Sequence, residues 1–287
     1  VTVSARVLDL RARDLAKDVL AAPRLLRAGT RALPDFLVIG TMKGGTTSLY
    51  EYLATHPQVV PASTKEVHYF DAHHRRSSSW YRSHFPTRAS LDQIDGGRTG
   101  ESSPFYLYHP LAPARARALV PDARLIALVR DPAERALSHY EHNARYALDP
   151  LSFGAALRAE PARLAADDGR LLAGRGGRYH PHELYSYAAR GRYADQLDRW
   201  VDAFGRGSML VIRSDDLFER PAQVWDEVLA FLALDPAPPP AFANHNPGTG
   251  SSNLDPAIRA DLAAHFAAAN ADLAARYGVD VSTWTRC

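Results

Sequence analysis

The sequence predicts an α/β fold, a single domain in which a central parallel β-sheet of four or five strands is flanked by helices. Three observations carry that expectation. Phe36–Gly40 is a short apolar run that ends at glycine and passes through a tight turn into an apolar-periodic stretch, the order strand, loop, helix. Ala123–Arg130, ARLIALVR, is a second apolar strand, followed by a stretch with Pro132 in its first turn. A third apolar run, SMLVIRS, follows further helical pattern. Strands separated by helices need crossovers, and crossovers pair strands in parallel.

In chain order, residues 1–33 are expected to form a basic helical extension, with Val7, Leu10, Leu15 and Leu20 at leucine-type spacing among Arg and Lys. That stretch is a surface helix leading into the domain, or one that touches a membrane surface or a partner. It lacks the continuous apolar segment of a secretory signal. The domain proper spans 34–287. After the first strand a helix is expected from Gly45 to Thr55, stopped by His56 and Pro57, and Val59 with Val60 offers a second strand. TKEVHYFD is then a loop or edge strand, RTGES and PFYLYHP follow, and a helix runs to Val120. Beyond the second strand helix pairs with strand again: a helix from Leu151, a long helix through LYSYAARGRYADQLDRWVDAF, the SMLVIRS strand, a helix from Pro221 to Leu234, and an alanine-rich helix over Pro256–Tyr277.

Charge and cysteine usage narrow the functions. The 34 basic and 32 acidic residues give a net charge of +2, too balanced for a protein that coats nucleic acid, so any positive field must be local. The one cysteine, Cys287, allows no intrachain disulfide, and cytoplasm is the expected compartment. No apolar run approaches the roughly 20 residues that span a bilayer. Of the twelve histidines, His139 and His142, His73 and His74, and His180 and His182 lie close in sequence, yet no cysteine or carboxylate completes a metal set, and none is expected.

The first loop is built for an anion. A helix N-terminus after a parallel strand offers unpaired N–H groups with partial positive charge. Gly44 and Gly45 let the backbone wrap closely, Lys43 adds a cation, and Thr46, Thr47 and Ser48 offer hydroxyls. The order differs from the nucleotide-triphosphatase loop, because Lys43 precedes the glycine pair. The second strand ends in Arg130 where a magnesium-dependent triphosphatase carries an acid. A cation there suggests a second phosphate handled without metal, with Ser138 two helical turns on in reach of the same group.

These residues resemble the PAPS-dependent sulfotransferases, specifically their heparan sulfate branch, over about Pro34 to Trp284. The resemblance is carried by IGTMKGGTTSLYEYLATHPQVV, KEVHYFD, WYRSHFP, VRDPAERALSHY, YADQLDRW and the final helix with its VDVSTW tail, in family order. It implies the P-loop-like sulfotransferase fold and the donor 3′-phosphoadenosine 5′-phosphosulfate (PAPS), with PAP as product. Lys43, Gly44, Gly45, Thr46, Thr47 and Ser48 would cradle the phosphosulfate, and Arg130 with Ser138 would hold the 3′-phosphate. Tyr193 falls where the family has a tyrosine after glycine, and Gly248 lies in the loop that closes over the nucleotide. Glu66 would be the general base for a hydroxyl, less readily an amine, of a small molecule or sugar; His68 would orient the acceptor, and Lys43 would also offset charge on the leaving oxygen.

Three departures from the heparan-specific pattern stand out. Thr47 replaces an arginine, and Pro247, Gly248 and Thr249 replace a Lys-Gly-Arg run in a disulfide-closed loop. Glu101 replaces a lysine, which is expected to reverse a charge in the acceptor cleft and to disfavour a polyanionic glycan. Trp80, Tyr81, Phe85, Phe105, Tyr106 and Tyr108 are cleft lining or core packing, and Arg175 and Arg178 are anion contacts or solvated loop. A P-loop kinase using ATP and magnesium and a catalytically silent nucleotide-binding scaffold are the alternative functions.

Overall fold

The computed structural model describes residues 7–8, 23–174, 178, 180–241 and 254–284. Gly248 and its neighbours, Arg175, Cys287 and most of the N-terminal extension lie outside the described residues. Five parallel strands form the sheet: β1 (Phe36–Gly40), β2 (Val59–Pro61), β3 (Arg98–Ser102), β4 (Arg124–Val129) and β5 (Met209–Arg213), in the spatial order β2-β3-β1-β4-β5. The register sets Phe36 opposite Gly100 on one side and Arg124 on the other.

Successive side chains of a strand point to opposite faces, so a strand covered on both sides is apolar throughout. Leu37 and Ile39 join Leu125, Ala127 and Val129 in a core that includes Tyr81, Phe85, Leu197 and Trp200. Phe36, Val38, Ile126 and Leu128 join Leu49, Leu53, Trp225 and Val228 on the other face. The helices α1 (Thr46–Ala54), α3 (Tyr193–Phe204), α4 (Pro221–Leu232) and α5 (Pro256–Tyr277) supply those faces, and α2 (Pro132–Arg145) packs Ala133 and Ala136 with Phe266 of α5 in a third cluster. Asp131 caps α2 by accepting from the Ala133 N–H at 2.8 Å, and Asp255 does the same for α5 with Ala257 at 2.8 Å.

RTGES, to which the sequence assigned no element, forms β3 between β1 and β2. One expectation changes. The long helix expected through 184–204 is broken: a short helix Pro181–Tyr185, a 3-10 turn Ala189–Gly191 and then α3. The break lets Arg190 turn fully inside, and Gly191 sits so close to α5 and α2 that a Cβ there would lie 2.6 Å from Phe266 and 2.7 Å from Pro132. KEVHYFD is a loop, with no strand pairing.

The strand order reverses direction around β1, and the carboxyl ends of β1, β3 and β4 open to one crevice. In sheets of this kind that crevice is where ligands bind. It receives the glycine loop after Gly40, Ser103 after β3 and Arg130 after β4. Among the described residues no helix is long and apolar enough to cross a membrane.

Candidate functional site

The glycine loop is stapled in place before any ligand arrives. The Thr41 N–H donates to the Leu128 carbonyl at 2.8 Å, Gly44 N–H to the Thr41 carbonyl at 2.9 Å, and Ser214 Oγ to the Gly44 carbonyl at 2.6 Å. Lys43 and Gly45 both adopt left-handed backbone, with φ of 70° and 92°. Gly45 is the N-cap of α1, so no side chain caps this helix. Thr46 and Ser48 are buried, and the Ser48 hydroxyl is bonded to Tyr52, so Thr47 is the loop hydroxyl nearest to solvent.

Arg130 ties the tip of β4 to the glycine loop. Its Nη1 donates to the Lys43 carbonyl at 3.3 Å, while Nη2 lies 3.9 Å from Glu134. Ser138 is half-buried on α2. Tyr193 is buried, and its hydroxyl donates to the Arg130 carbonyl at 2.9 Å, so it fixes the strand tip. Burial lowers the Lys43 ammonium below its usual range, and the charges of Arg145, Arg130 and Arg135 lower it further against the pull of Glu141. A group held in a positive field this way gains from a bound anion.

Glu66, His68 and Asp71 form a continuous array beside that loop. Glu66 Oε2 lies 2.7 Å from His68 Nε2, and His68 Nδ1 lies 2.8 Å from Asp71 Oδ2. His68 is buried, whereas the Glu66 side chain keeps 32% exposure and remains reachable. Burial and the Arg178 charge push the imidazole down, but Asp71 and Glu66 outweigh both and raise it to about 10. Burial likewise pushes the Glu66 carboxyl up, and His68, Lys65 and Arg178 overcome it and hold it at about 2. Asp71 is held well below the carboxylate range: burial opposes, and His68 and His109 prevail. The imidazole is thus a cation between two carboxylates. Lys65 Nζ donates to Thr47 Oγ1 at 3.0 Å and lies 3.6 Å from Glu66 Oε1, which joins this segment to the glycine loop.

The sequence reasoning missed Asp71, the link that Lys65 makes to Thr47, and the field of Arg178. Asp71 stands three residues after His68, a spacing that could have flagged it. Of the two expectations for TKEVHYFD the loop holds, since His68 has φ 55° and meets Glu66 by a turn of the chain.

Glu101 is not in an open cleft. It is 1% exposed at the end of β3, where Tyr81 and Tyr106 donate to Oε1 at 2.7 and 2.9 Å and Ser103 donates to Oε2 at 2.7 Å. Burial, offset by these three hydroxyls, leaves it raised to about 7. Enclosed by these hydroxyls, it faces the core and not an acceptor. Tyr81, Phe85, Phe105 and Tyr106 are core, with Tyr69 and Tyr81 stacked at 4.5 Å.

The Sulfotransferase domain family matches residues 33–240. A mouse protein named bifunctional heparan sulfate N-deacetylase/N-sulfotransferase 4 is 34% identical over 71% of this chain and 23% of its own length. A human protein named heparan sulfate glucosamine 3-O-sulfotransferase 6 is 34% identical over 72% of this chain and 54% of its own. The chain thus spans from about a quarter to about half the length of these relatives. A solved sulfotransferase from Alicyclobacillus acidocaldarius is 31% identical with a TM-score of 0.70, covering 89% of this chain and 100% of that one.

Proposed function

Because this chain belongs to the sulfotransferase domain family and is a PAPS-dependent sulfotransferase, we propose that Glu66 is its general base and that the acceptor is a hydroxyl of a small molecule or carbohydrate. Lys65 is the observation that carries the assignment: one ammonium contacts both the Thr47 hydroxyl of the donor loop and the Glu66 carboxylate.

PAPS supplies a sulfuryl group activated by its anhydride link to phosphate. Lys43 to Ser48 hold that end through the helix N-terminus and the Lys43 charge. Arg130 and Ser138 hold the 3′-phosphate, which sets this donor apart from ATP, and Tyr193 keeps Arg130 in place. As the acceptor oxygen bonds to sulfur and the bond to the bridging oxygen breaks, Glu66 takes the acceptor proton and Lys43 offsets the charge gathering on the departing phosphate. A carboxylate held near 2 is a weak base for a free alcohol. It suffices once the attacking oxygen carries a partial bond to sulfur, because that oxygen has become strongly acidic. His68 remains charged, balanced by Asp71, and keeps Glu66 aimed.

Thermal unfolding with PAP and with Mg-ATP tests the donor. PAP at a hundred times its Kd should add about 2.7 kcal/mol of stability; protection by Mg-ATP alone would instead favour a kinase. Labelled PAPS offered with a panel of hydroxylated metabolites and sugars identifies the acceptor, and no labelled product from any of them together with bound PAP would favour a silent binder.

A further inference from the structure

We infer that Glu101 is a positioning residue for the Glu66–His68 loop, acting through two hydroxyls that each pass the restraint on to a main-chain N–H. This rests on the placement of Glu66 and His68 at the reacting site. The connections are direct. Ser103 Oγ donates to Glu101 and accepts from the His68 N–H at 3.0 Å; Tyr106 Oη donates to Glu101 and accepts from the Tyr69 N–H at 2.8 Å. Tyr81 adds a third donor at 2.7 Å. A carboxylate accepts from all three at once without competition, because it has no hydrogen of its own to place.

The position of the tethered residues gives the arrangement its purpose. His68 holds left-handed backbone, φ 55°, which a non-glycine residue keeps only when its surroundings over-determine it. Its amide is restrained from below by Ser103 while its ring is restrained on both sides by Glu66 and Asp71. Hydroxyls polarised by a carboxylate are also better acceptors than the same groups alone. The groups facing Glu101 are Tyr81, Ser103 and Tyr106, with Asp71 close enough to push the carboxyl up. Glu101 thus reaches the reacting residues from behind the loop, through hydroxyls that are themselves buried.

Glu101→Gln, Ser103→Ala and Tyr106→Phe test it, read by amide exchange at His68 and Tyr69, by the NMR titration of the His68 ring and by PAP affinity. Ser103→Ala should speed exchange of the His68 amide about five- to tenfold, the worth of one hydrogen bond, and Tyr106→Phe should do the same at Tyr69. All three should move the His68 ring titration down, with PAP affinity within about twofold of the parent. Ser103→Ala and Tyr106→Phe change no charge, so they decide the matter even where Glu101→Gln does not fold. A His68 titration unchanged in both, whatever happens to melting temperature, would overturn the inference and leave Glu101 a structural acid. Failure of the parent protein to bind PAP would strike the donor assignment while the exchange and titration results still judged Glu101.

Discussion

Glu66 Oε2 and His68 Nε2 lie 2.7 Å apart, and with Asp71 on the far side of the ring the two groups shift in opposite directions, the carboxyl to about 2 and the imidazole to about 10. The pair is an ion pair across the neutral range, and the reachable member of it is the carboxylate.

Glu66→Gln keeps the volume of the side chain and removes the base. Labelled sulfuryl transfer should fall by about 100- to 10,000-fold, the range for losing a positioned general base. PAP affinity by calorimetry should stay within about twofold, since Glu66 holds no phosphate in this scheme. An unchanged rate would take Glu66 out of the mechanism.

The pair also gives stability a pH signature. His68 is raised from 6.5, so its share is whole below 6.5 and is lost as pH rises through about 10. Glu66 is lowered from 4.5, so its share is whole above 4.5 and is lost as pH falls through about 2. Both shares are complete only between those two ordinary values. The melting-temperature gap between the parent and His68→Gln should therefore be widest near about pH 5.5 and should narrow steadily toward about pH 10. A gap that does not vary with pH would mean that the buried ring is neutral.

Arg130→Ala separates the two phosphates of the donor. It should weaken PAP by at least about tenfold, the scale of one charge-assisted contact, and adenosine 5′-phosphosulfate, which lacks the 3′-phosphate, by much less. Equal losses would reduce Arg130 to its observed contact with the Lys43 carbonyl.

Lys43 is held among Arg130, Arg135 and Arg145 in a partly buried loop, so its charge works against the ligand-free fold. Lys43→Met should leave melting temperature equal or raise it by about 1–3 °C while abolishing transfer and weakening PAP, the trade expected of a residue kept for function. A fall in melting temperature would show that the cation has favourable partners in the free protein.

Much of the fold was legible because it is written locally. The apolar runs of β1, β4 and β5, Pro132 after Asp131, and Pro256 after Asp255 are short-range signals, and α5 has the bounds expected of it. β3 was harder to recognise: RTGES carries two charges and a glycine, and it is a strand because Gly100 lies in register with Phe36 between two other strands. The break before α3 was illegible for a similar reason, since helical periodicity runs through it and only the packing of Phe266 and Pro132 on Gly191 interrupts it.

The sequence by itself determined an anion-binding loop and the cation at the tip of β4, because each rests on residue type within a few positions of a strand end, and its resemblance to sulfotransferases supplied the candidate base. Tertiary structure alone decided what those groups are chemically. Sheet order brings Glu101, 35 residues after Glu66, beneath the loop that Glu66 occupies, and folding brings His68 between two carboxylates. Charge state depends on burial and on neighbours far along the chain. Glu101 therefore changed from an expected cleft charge into a buried acceptor of three hydroxyls, and Asp71 from an unremarked residue into the counter-charge of His68.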